Sequence, residues 1–338
     1  MEEAQALRPE LSMVNEEPGR RSAADEGRRS QGVFIVGSPR SGTSVLSWAL
    51  ARHPSFWTSD ESDYLLDLYG SGHLRTTYRT AFERSDGGWL KRQNVCFAEF
   101  AAKLGLGAER LYDSRSKGRR WVDATPGHTL MIDDLMLLFP EARFLHILRD
   151  GRAVVNSMVS SDFDIDWASD FALACRTWAH YAQLGRAAAS DHAERVLELR
   201  QEQLMAHPQL ELARVFQFLE EQPCERSVEL ILTERVNSSY GNVAAGDIRR
   251  AKDPKAAPPN PWRFWTAEQN HTFSAIAGDV ARTFGYDVPE GRARPSRWLG
   301  RFRQSTSLWA ARFIPTAFGP SPSHGSSGRL DSDGKDSA

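Results

Sequence analysis

One segment constrains the fold more than any other. Val33-Phe34-Ile35-Val36 is a short, unbroken apolar run of the kind buried on both faces of a parallel sheet. Gly37-Ser38-Pro39-Arg40-Ser41-Gly42-Thr43-Ser44 interrupts it, and a helical apolar pattern (Val45, Leu46, Trp48, Ala49, Leu50) follows until His53-Pro54 stops it. A strand, glycine loop and helix in this order aim several backbone N–H groups and a positive helix end at one point. That arrangement suits a phosphate-like anion. Gly37 and Gly42 have the Walker A spacing, but Thr43 stands where that motif has its lysine. A Mg–triphosphate enzyme needs the lysine on the β- and γ-phosphates, so ATP or GTP hydrolysis is disfavoured. Arg40, inside the loop, supplies a cation instead.

A second unit of the same kind lies downstream. A helical run over 130–139 stops at Pro140, a strand is predicted over 144–148, Arg149-Asp150-Gly151-Arg152 forms the turn, and a helix opens at Ala153. The pattern then predicts a long amphipathic helix over 170–189, a strand over 196–199, and helices near 208–220 and 225–232. Residues 237–261 read as loop, and 266–284 as helix with Glu268 and Gln269 in its first turn. Strands alternating with helices predict a doubly wound, mainly parallel α/β sheet flanked by helices, as one domain over 32–290. Residues 1–31 read as a disordered leader, 291–318 as a basic-aromatic segment and 319–338 as a disordered Ser/Gly/Pro-rich tail.

Residues 34–44 resemble the 5′-phosphosulfate loop of sulfotransferases, which use 3′-phosphoadenosine 5′-phosphosulfate (PAPS) and release PAP. Arg149-Asp150-Gly151-Arg152-Ala153-Val154-Val155-Asn156-Ser157 is similar to the family's second signature, in which an Arg and a Ser eight residues apart grip the 3′-phosphate. The resemblance implies a P-loop-like α/β fold and a nucleotide held by Ser38, Pro39, Arg40, Ser41, Gly42, Thr43, Ser44, Arg149 and Ser157, with Arg152 beside them. Independently of it, Arg149 is at a predicted strand end, where open α/β sheets bind ligands. The segment ending in Asp60-Glu61 is similar to tyrosylprotein and carbohydrate-type members, where a short second strand leads to a glutamate base. That likeness puts the base at Glu61, with Asp60 as second choice, and Arg40 on the sulfate side.

Trp121-Val122-Asp123-Ala124-Thr125-Pro126-Gly127-His128 resembles a segment that in many relatives carries a lysine directed at the transferring sulfate. Here that position is Ala124, and the histidine base of the cytosolic small-molecule branch would fall on Pro126. His128 is near enough to be a second acid/base candidate. Residues 199–204 resemble the family's strand-end segment, with Glu202 orienting a loop. Residues 237–240 resemble one that approaches the nucleotide, which implies a contact from Ser239. Arg249, Arg250 and Lys252 follow in a loop able to close over the 3′-phosphate.

Charge sets limits on partners. The chain has 42 basic and 44 acidic residues, which excludes a histone-like coat on nucleic acid. Cys96, Cys175 and Cys224 form no metal or disulfide pattern, and Asp and His show no ligand spacing near the loops, so no metal is expected. No apolar run marks a signal peptide or membrane span, and a cytoplasmic protein is the expectation. Residues 291–318 carry six Arg and no acid among Trp298, Phe302, Trp309, Phe313 and Phe318, which suits either peripheral contact with an anionic membrane or packing on the domain. The leading reading is a PAPS-dependent sulfotransferase acting on a hydroxyl of a carbohydrate, lipid, phenol or peptide tyrosine. The rivals are a nucleotide kinase and a non-catalytic PAPS- or PAP-binding protein. Trp57, Tyr64, Trp89 and Trp121 are candidates to line an aromatic acceptor site.

Overall fold

The computed structural model describes residues 31–84, 87–161, 163, 165–236, 249–251 and 260–289. Ser239, Lys252, the side chains of Arg249 and Arg250, and the segments 1–30, 291–318 and 319–338 lie outside the described residues.

Strand β1 (Val33–Val36) is completely buried, as its unbroken apolar run requires. It feeds helix α1 (Thr43–Leu50) and strand β2 (Phe56–Thr58). Four helices follow: α2 (Tyr64–Tyr69), α3 (His73–Phe82), α4 (Trp89–Arg92) and α5 (Phe97–Ser116). Strand β3 (Arg120–Asp123) and a 3-10 turn (Pro126–Met131) come next, then helix α6 (Ile132–Leu138). Strand β4 (Arg143–Leu148) leads into α7 (Gly151–Val159), α8 (Asp166–Ser169) and α9 (Phe171–Asp191). Strand β5 (Val196–Arg200) passes directly into α10 (Gln201–Ala206), followed by α11 (Pro208–Phe218) and α12 (Glu225–Thr233). A small antiparallel pair joins β6 (Glu234–Val236) to β7 (Arg249–Ala251), and α13 (Ala267–Thr283) closes the described chain.

The main sheet has five strands in the order β2-β3-β1-β4-β5, and every neighbouring pair is parallel. The chain moves from β1 toward one edge, then crosses to β4 on the other side of β1. Strand order therefore reverses between β1 and β4, and the crevice at their carboxyl ends is where such sheets place ligands. The loop after β1 and the turn after β4 both open there.

Both faces of the sheet are covered. Ile35, Leu46, Leu50, Leu199, Val215 and Phe216 pack one face beneath α1 and α11. Phe34, Trp121, Phe139 and Phe144 fill the other, with the Phe34 ring 5.1 Å from Trp121 and from Phe139 and 5.3 Å from Phe144. A third cluster around Val155, Trp178, Phe273 and Ala277 binds α7, α9 and α13 together. Thr266 and Gln269 form a reciprocal capping box at the start of α13, which accounts for the position of that boundary.

The helices over 170–189 and 266–284 and the strands over 144–148 and 196–199 are found within three residues of their expected limits. The insertion α2–α5 and the strand β3 carry no clean sequence period. Ion pairing of Arg75 in α3 with Asp134 in α6 (2.6 Å) and packing of α5 against α6 hold that insertion in place. Trp121 has no solvent exposure and stacks on Tyr112 at 4.4 Å, so it is core and not acceptor lining, whereas Trp89 is 62% exposed. Trp121→Ala is expected to cost about 3–5 kcal/mol in urea unfolding, and Trp89→Ala less than about 0.5 kcal/mol. Equally small losses would contradict the core assignment.

Candidate active site

The loop after β1 is shaped by close approaches. A Cβ on Gly37 would lie 2.5 Å from the Ile147 carbonyl oxygen, so only glycine lets β1 run this close to β4. The Gly37 N–H donates to Thr129 Oγ1 (2.8 Å), and the Thr129 hydroxyl donates back to the Gly37 carbonyl (3.2 Å). The Ser41 N–H donates to the Ser38 carbonyl (3.1 Å), and Arg40 (φ 70°) and Gly42 (φ 102°) turn the backbone through the left-handed region. The Gly42 carbonyl then accepts the first helical bond, from the Leu46 N–H at 3.2 Å. Within α1 the first-turn amides of Thr43, Ser44 and Val45 have no helical acceptor, and the dipole adds positive charge there. Ser38, Ser41 and Thr43 are buried. The loop thus wraps its buried hydroxyls and the first-turn amides of α1 around one point.

The second motif meets the first at Arg40. Arg149 Nη1 donates to the Arg40 carbonyl (2.9 Å), and Arg40 Nε donates to Ser157 Oγ (3.0 Å). Arg149 and Ser157, paired by sequence, are thus paired in space. Burial works against the Arg149 charge and lowers its pKa, while Glu202, Asp150 and Tyr286 offset part of that cost. The Trp178 indole N–H donates to the Arg149 carbonyl (3.1 Å) and fixes the strand end.

Arg152 is committed differently. Its Nε and Nη2 donate to both oxygens of Asp150 (3.0 and 2.7 Å), Nη1 donates to the Asp287 carbonyl (2.8 Å), and the guanidinium lies 4.6 Å from the Trp262 ring centroid. Glu202, in the first turn of α10, accepts the Asp150 N–H (2.7 Å) and the Tyr286 hydroxyl (3.3 Å), so it does orient the turn after β4. A cavity of about 570 Å³ opens beside these groups, lined by Arg149, Arg152, Gln201, Asn260, Trp262 and Tyr286.

Ser44 of the same loop lines a cleft together with Ser47, Trp48, Ser59, Asp60, Glu61 and Ala124. Ala124, where the resemblance leads one to look for a lysine, therefore faces the same space as Glu61. Glu61 is exposed at the mouth of this cleft, with protein atoms crowding one side of its carboxyl. Desolvation, Asp63 and Asp123 push its carboxyl up to about 7 from 4.5, against the opposing pull of His128 and Arg40.

Behind it, Asp123 accepts hydrogen bonds from Tyr112 OH (2.5 Å), the Thr125 N–H (2.9 Å) and the Ser62 hydroxyl. His128 Nδ1 is 3.2 Å from the same carboxylate, and the ring lies edge-on to Phe34 with no solvent exposure. His128 is therefore behind the cleft and not at its surface. Burial by itself would raise the Asp123 pKa. The His128 charge and the hydrogen bonds from His128, Ser62 and Tyr112 outweigh it and hold the group well below the ordinary carboxylate range.

Asp123, Ser62, Tyr112 and Thr129 frame the site without belonging to any motif of the sequence; the one local signal is a carboxylate, Asp123, at the carboxyl end of a strand. Among the described residues, no group of three or more His, Cys, Asp or Glu side chains is arranged to hold a metal ion.

Comparison with known proteins converges on one family. Residues 32–224, more than half of the chain, match the profile of the sulfotransferase family. A protein-tyrosine sulfotransferase of Drosophila melanogaster is 25% identical over 309 residues, covering 83% of this chain and 58% of its own length. Protein-tyrosine sulfotransferase A of Caenorhabditis elegans is 27% identical over 218 residues, covering 58% of this chain and 52% of its own length. The chain thus spans little more than half the length of these relatives. The sulfotransferase domain of the Synechococcus PCC 7002 olefin synthase shares the fold, with a TM-score of 0.50 and 22% identity over 76% of this chain and 95% of that one.

The environment of Glu61 is directly measurable. A carboxyl-carbon NMR titration is expected to give Glu61 a midpoint of about 7. A midpoint near 4.5, the value of an unperturbed glutamate, would show that burial and the neighbouring carboxylates do not act on it.

Proposed function

The chain belongs to the sulfotransferase family, and from that membership we propose that it transfers the sulfuryl group of PAPS to a hydroxyl acceptor, releasing PAP. One observation carries the reading. Two turns, one after β1 and one after β4, meet at Arg40, and Glu61 lines a cleft shared with Ser44 of the first loop, near enough to Arg40 to feel its charge. Of the acceptor classes carbohydrate, lipid, phenol and peptide tyrosine, the protein-tyrosine sulfotransferases among the relatives support the last.

The residues present suit this donor. Gly37 lets the loop start against β4 and Gly42 takes the left-handed turn into α1, the first-turn amides of α1 receive the 5′ side, and Arg149 and Ser157 receive the 3′-phosphate. The cavity edged by Trp262 and Tyr286 has room for the nucleoside. PAPS supplies an activated sulfuryl group that moves between two oxygens. The protein's part is positioning, stabilisation of spreading negative charge and removal of one proton. Glu61, once ionised, takes the proton of the acceptor hydroxyl. Arg40 and the amides of Thr43 and Ser44 offset the negative charge on the transferring group. Arg152, neutralised by Asp150, orders the turn and does not act as a free cation.

Ala124 gives the second reading its support: a cleft without a lysine also suits a protein that binds PAPS or PAP without turning it over. Thr43 weighs against a nucleotide kinase. Among the described residues no helix is long and apolar enough to cross a membrane.

Thermal-shift titration separates these readings. PAP is expected to raise Tm and Mg-ATP to leave it unchanged; the reverse would favour the kinase. With labelled PAPS and a panel of carbohydrate, phenolic, lipid and tyrosine-peptide acceptors, Glu61→Gln is expected to lower single-turnover transfer about 10²- to 10⁴-fold while keeping PAP affinity. Because the base must be ionised, the wild-type rate is expected to rise with pH through about 7. Stabilisation by PAP with no transfer to any acceptor would establish the binding-protein reading instead.

A further inference from the structure

Asp123 is a buried carboxylate at the end of β3 that takes no direct part in the reaction proposed above. Besides the His128 ring of the 3-10 turn, whose Nδ1 lies 3.2 Å from Oδ1, its partners come from three separate segments. The Thr125 N–H, on the exit from β3, donates to Oδ1 (2.9 Å). Tyr112 OH, from the far end of α5, donates to Oδ2 (2.5 Å). The Ser62 hydroxyl, from the loop after β2, donates to the same Oδ2 and lies 2.7 Å from the Tyr112 hydroxyl.

Ser62 is the residue immediately after Glu61, and it is held twice. Its backbone N–H donates to Thr125 Oγ1 (2.7 Å), and Thr125 is itself aligned by Asp123. Three converging donors need an acceptor-only group with lone pairs on both oxygens, which an ionised carboxylate provides and an amide does not. We propose that Asp123 is the positioning residue for Glu61, clamping Ser62 and Thr125 so that the preceding carboxylate is held at the cleft beside α1. The inference rests on Glu61 being the base.

Electrostatics adds a consequence that a purely structural clamp would lack. The groups acting on Glu61 are Asp63 before α2, Asp123 from β3, His128 from the 3-10 turn and Arg40 from the loop after β1. Tyr181 of α9 is also close enough for Glu61 and Asp63 to disfavour its ionisation. Asp60 adjoins Glu61 in the chain. Of the two carboxylates that raise the Glu61 pKa, Asp123 is held well below the ordinary carboxylate range, whereas burial pushes Asp63 up. Removing its charge therefore lowers the pH at which Glu61 ionises.

The test is the pH profile of kcat/KM for sulfuryl transfer by wild type, Asp123→Asn and Ser62→Ala, with PAP affinity measured by calorimetry. Asp123→Asn is expected to bind PAP within about twofold of wild type and to lose about 10- to 100-fold in kcat. Its acid limb should move to lower pH. Ser62→Ala removes one clamp but leaves the charge, so its kcat should fall while the limb stays in place. Wild-type kcat in either variant, or an acid limb unmoved in Asp123→Asn, overturns the proposal. Should Asp123→Asn fail to fold, kcat in Ser62→Ala decides. Glu61→Gln in the same assay separates two failures. If it keeps wild-type activity, the base assignment falls and the positioning role with it. If it is inactive while Asp123→Asn behaves as wild type, only the positioning role falls.

Discussion

The hydrogen bond from the buried Arg149 guanidinium to the Arg40 carbonyl is the contact on which the rest of the site depends. It ties the turn after β4 to the loop after β1 across 109 residues of sequence. Arg40 stands in the left-handed region, a conformation that costs a non-glycine residue about 1–3 kcal/mol. A hydrogen bond from a charged donor is worth about 1.5–3 kcal/mol, so this bond and the one from Arg40 to Ser157 are large enough to hold the loop in place. Without them the cradle would be one glycine-containing loop among many. With them, the loop after β1 and the turn after β4 share a single junction.

Under the proposed function, an acidic domain holds a multiply anionic ligand. Residues 32–290 carry a net charge of −5, so the domain as a whole offers no electrostatic attraction to an anion. Binding must come from local placement of donors. The glycine cradle, the α1 N-terminus, Arg40 and Arg149 provide it within a few residues of the β1–β4 crevice. Asp150 absorbs the Arg152 charge, and Glu202 orders Asp150, so the acids nearest the motif stiffen its frame. Around Glu61 the acids have a different effect: together with desolvation, the larger cause, Asp63 and Asp123 make its ionisation harder.

The sequence made the nucleotide side of this site legible because its signals are local. A fully buried strand must read as a continuous apolar run, and Gly37 must be glycine because β4 passes so close. Arg149 and Ser157 lie eight apart on a strand end and the helix that follows, so their spacing survives as a motif. The acceptor side was far less legible. Its frame is a set of contacts between Ser62, Tyr112, Asp123 and Thr125, which belong to three segments and share no spacing rule. His128 stood out as a titratable residue near the loop, yet only packing against Phe34 and Asp123 reveals that it is enclosed. The helices α2–α5 likewise depend on tertiary partners such as Asp134 more than on their own periodicity.

A crystal structure of the protein with PAP tests the shared junction most directly. The 5′-phosphate is expected on the backbone amides of residues 41–44, and the 3′-phosphate within hydrogen-bonding distance of Arg149 and Ser157, with the Arg40 carbonyl still held by Arg149. PAP bound away from both turns, or bound at the first turn with Arg149 and Ser157 making no contact with it, would contradict the joining of the two motifs into one site.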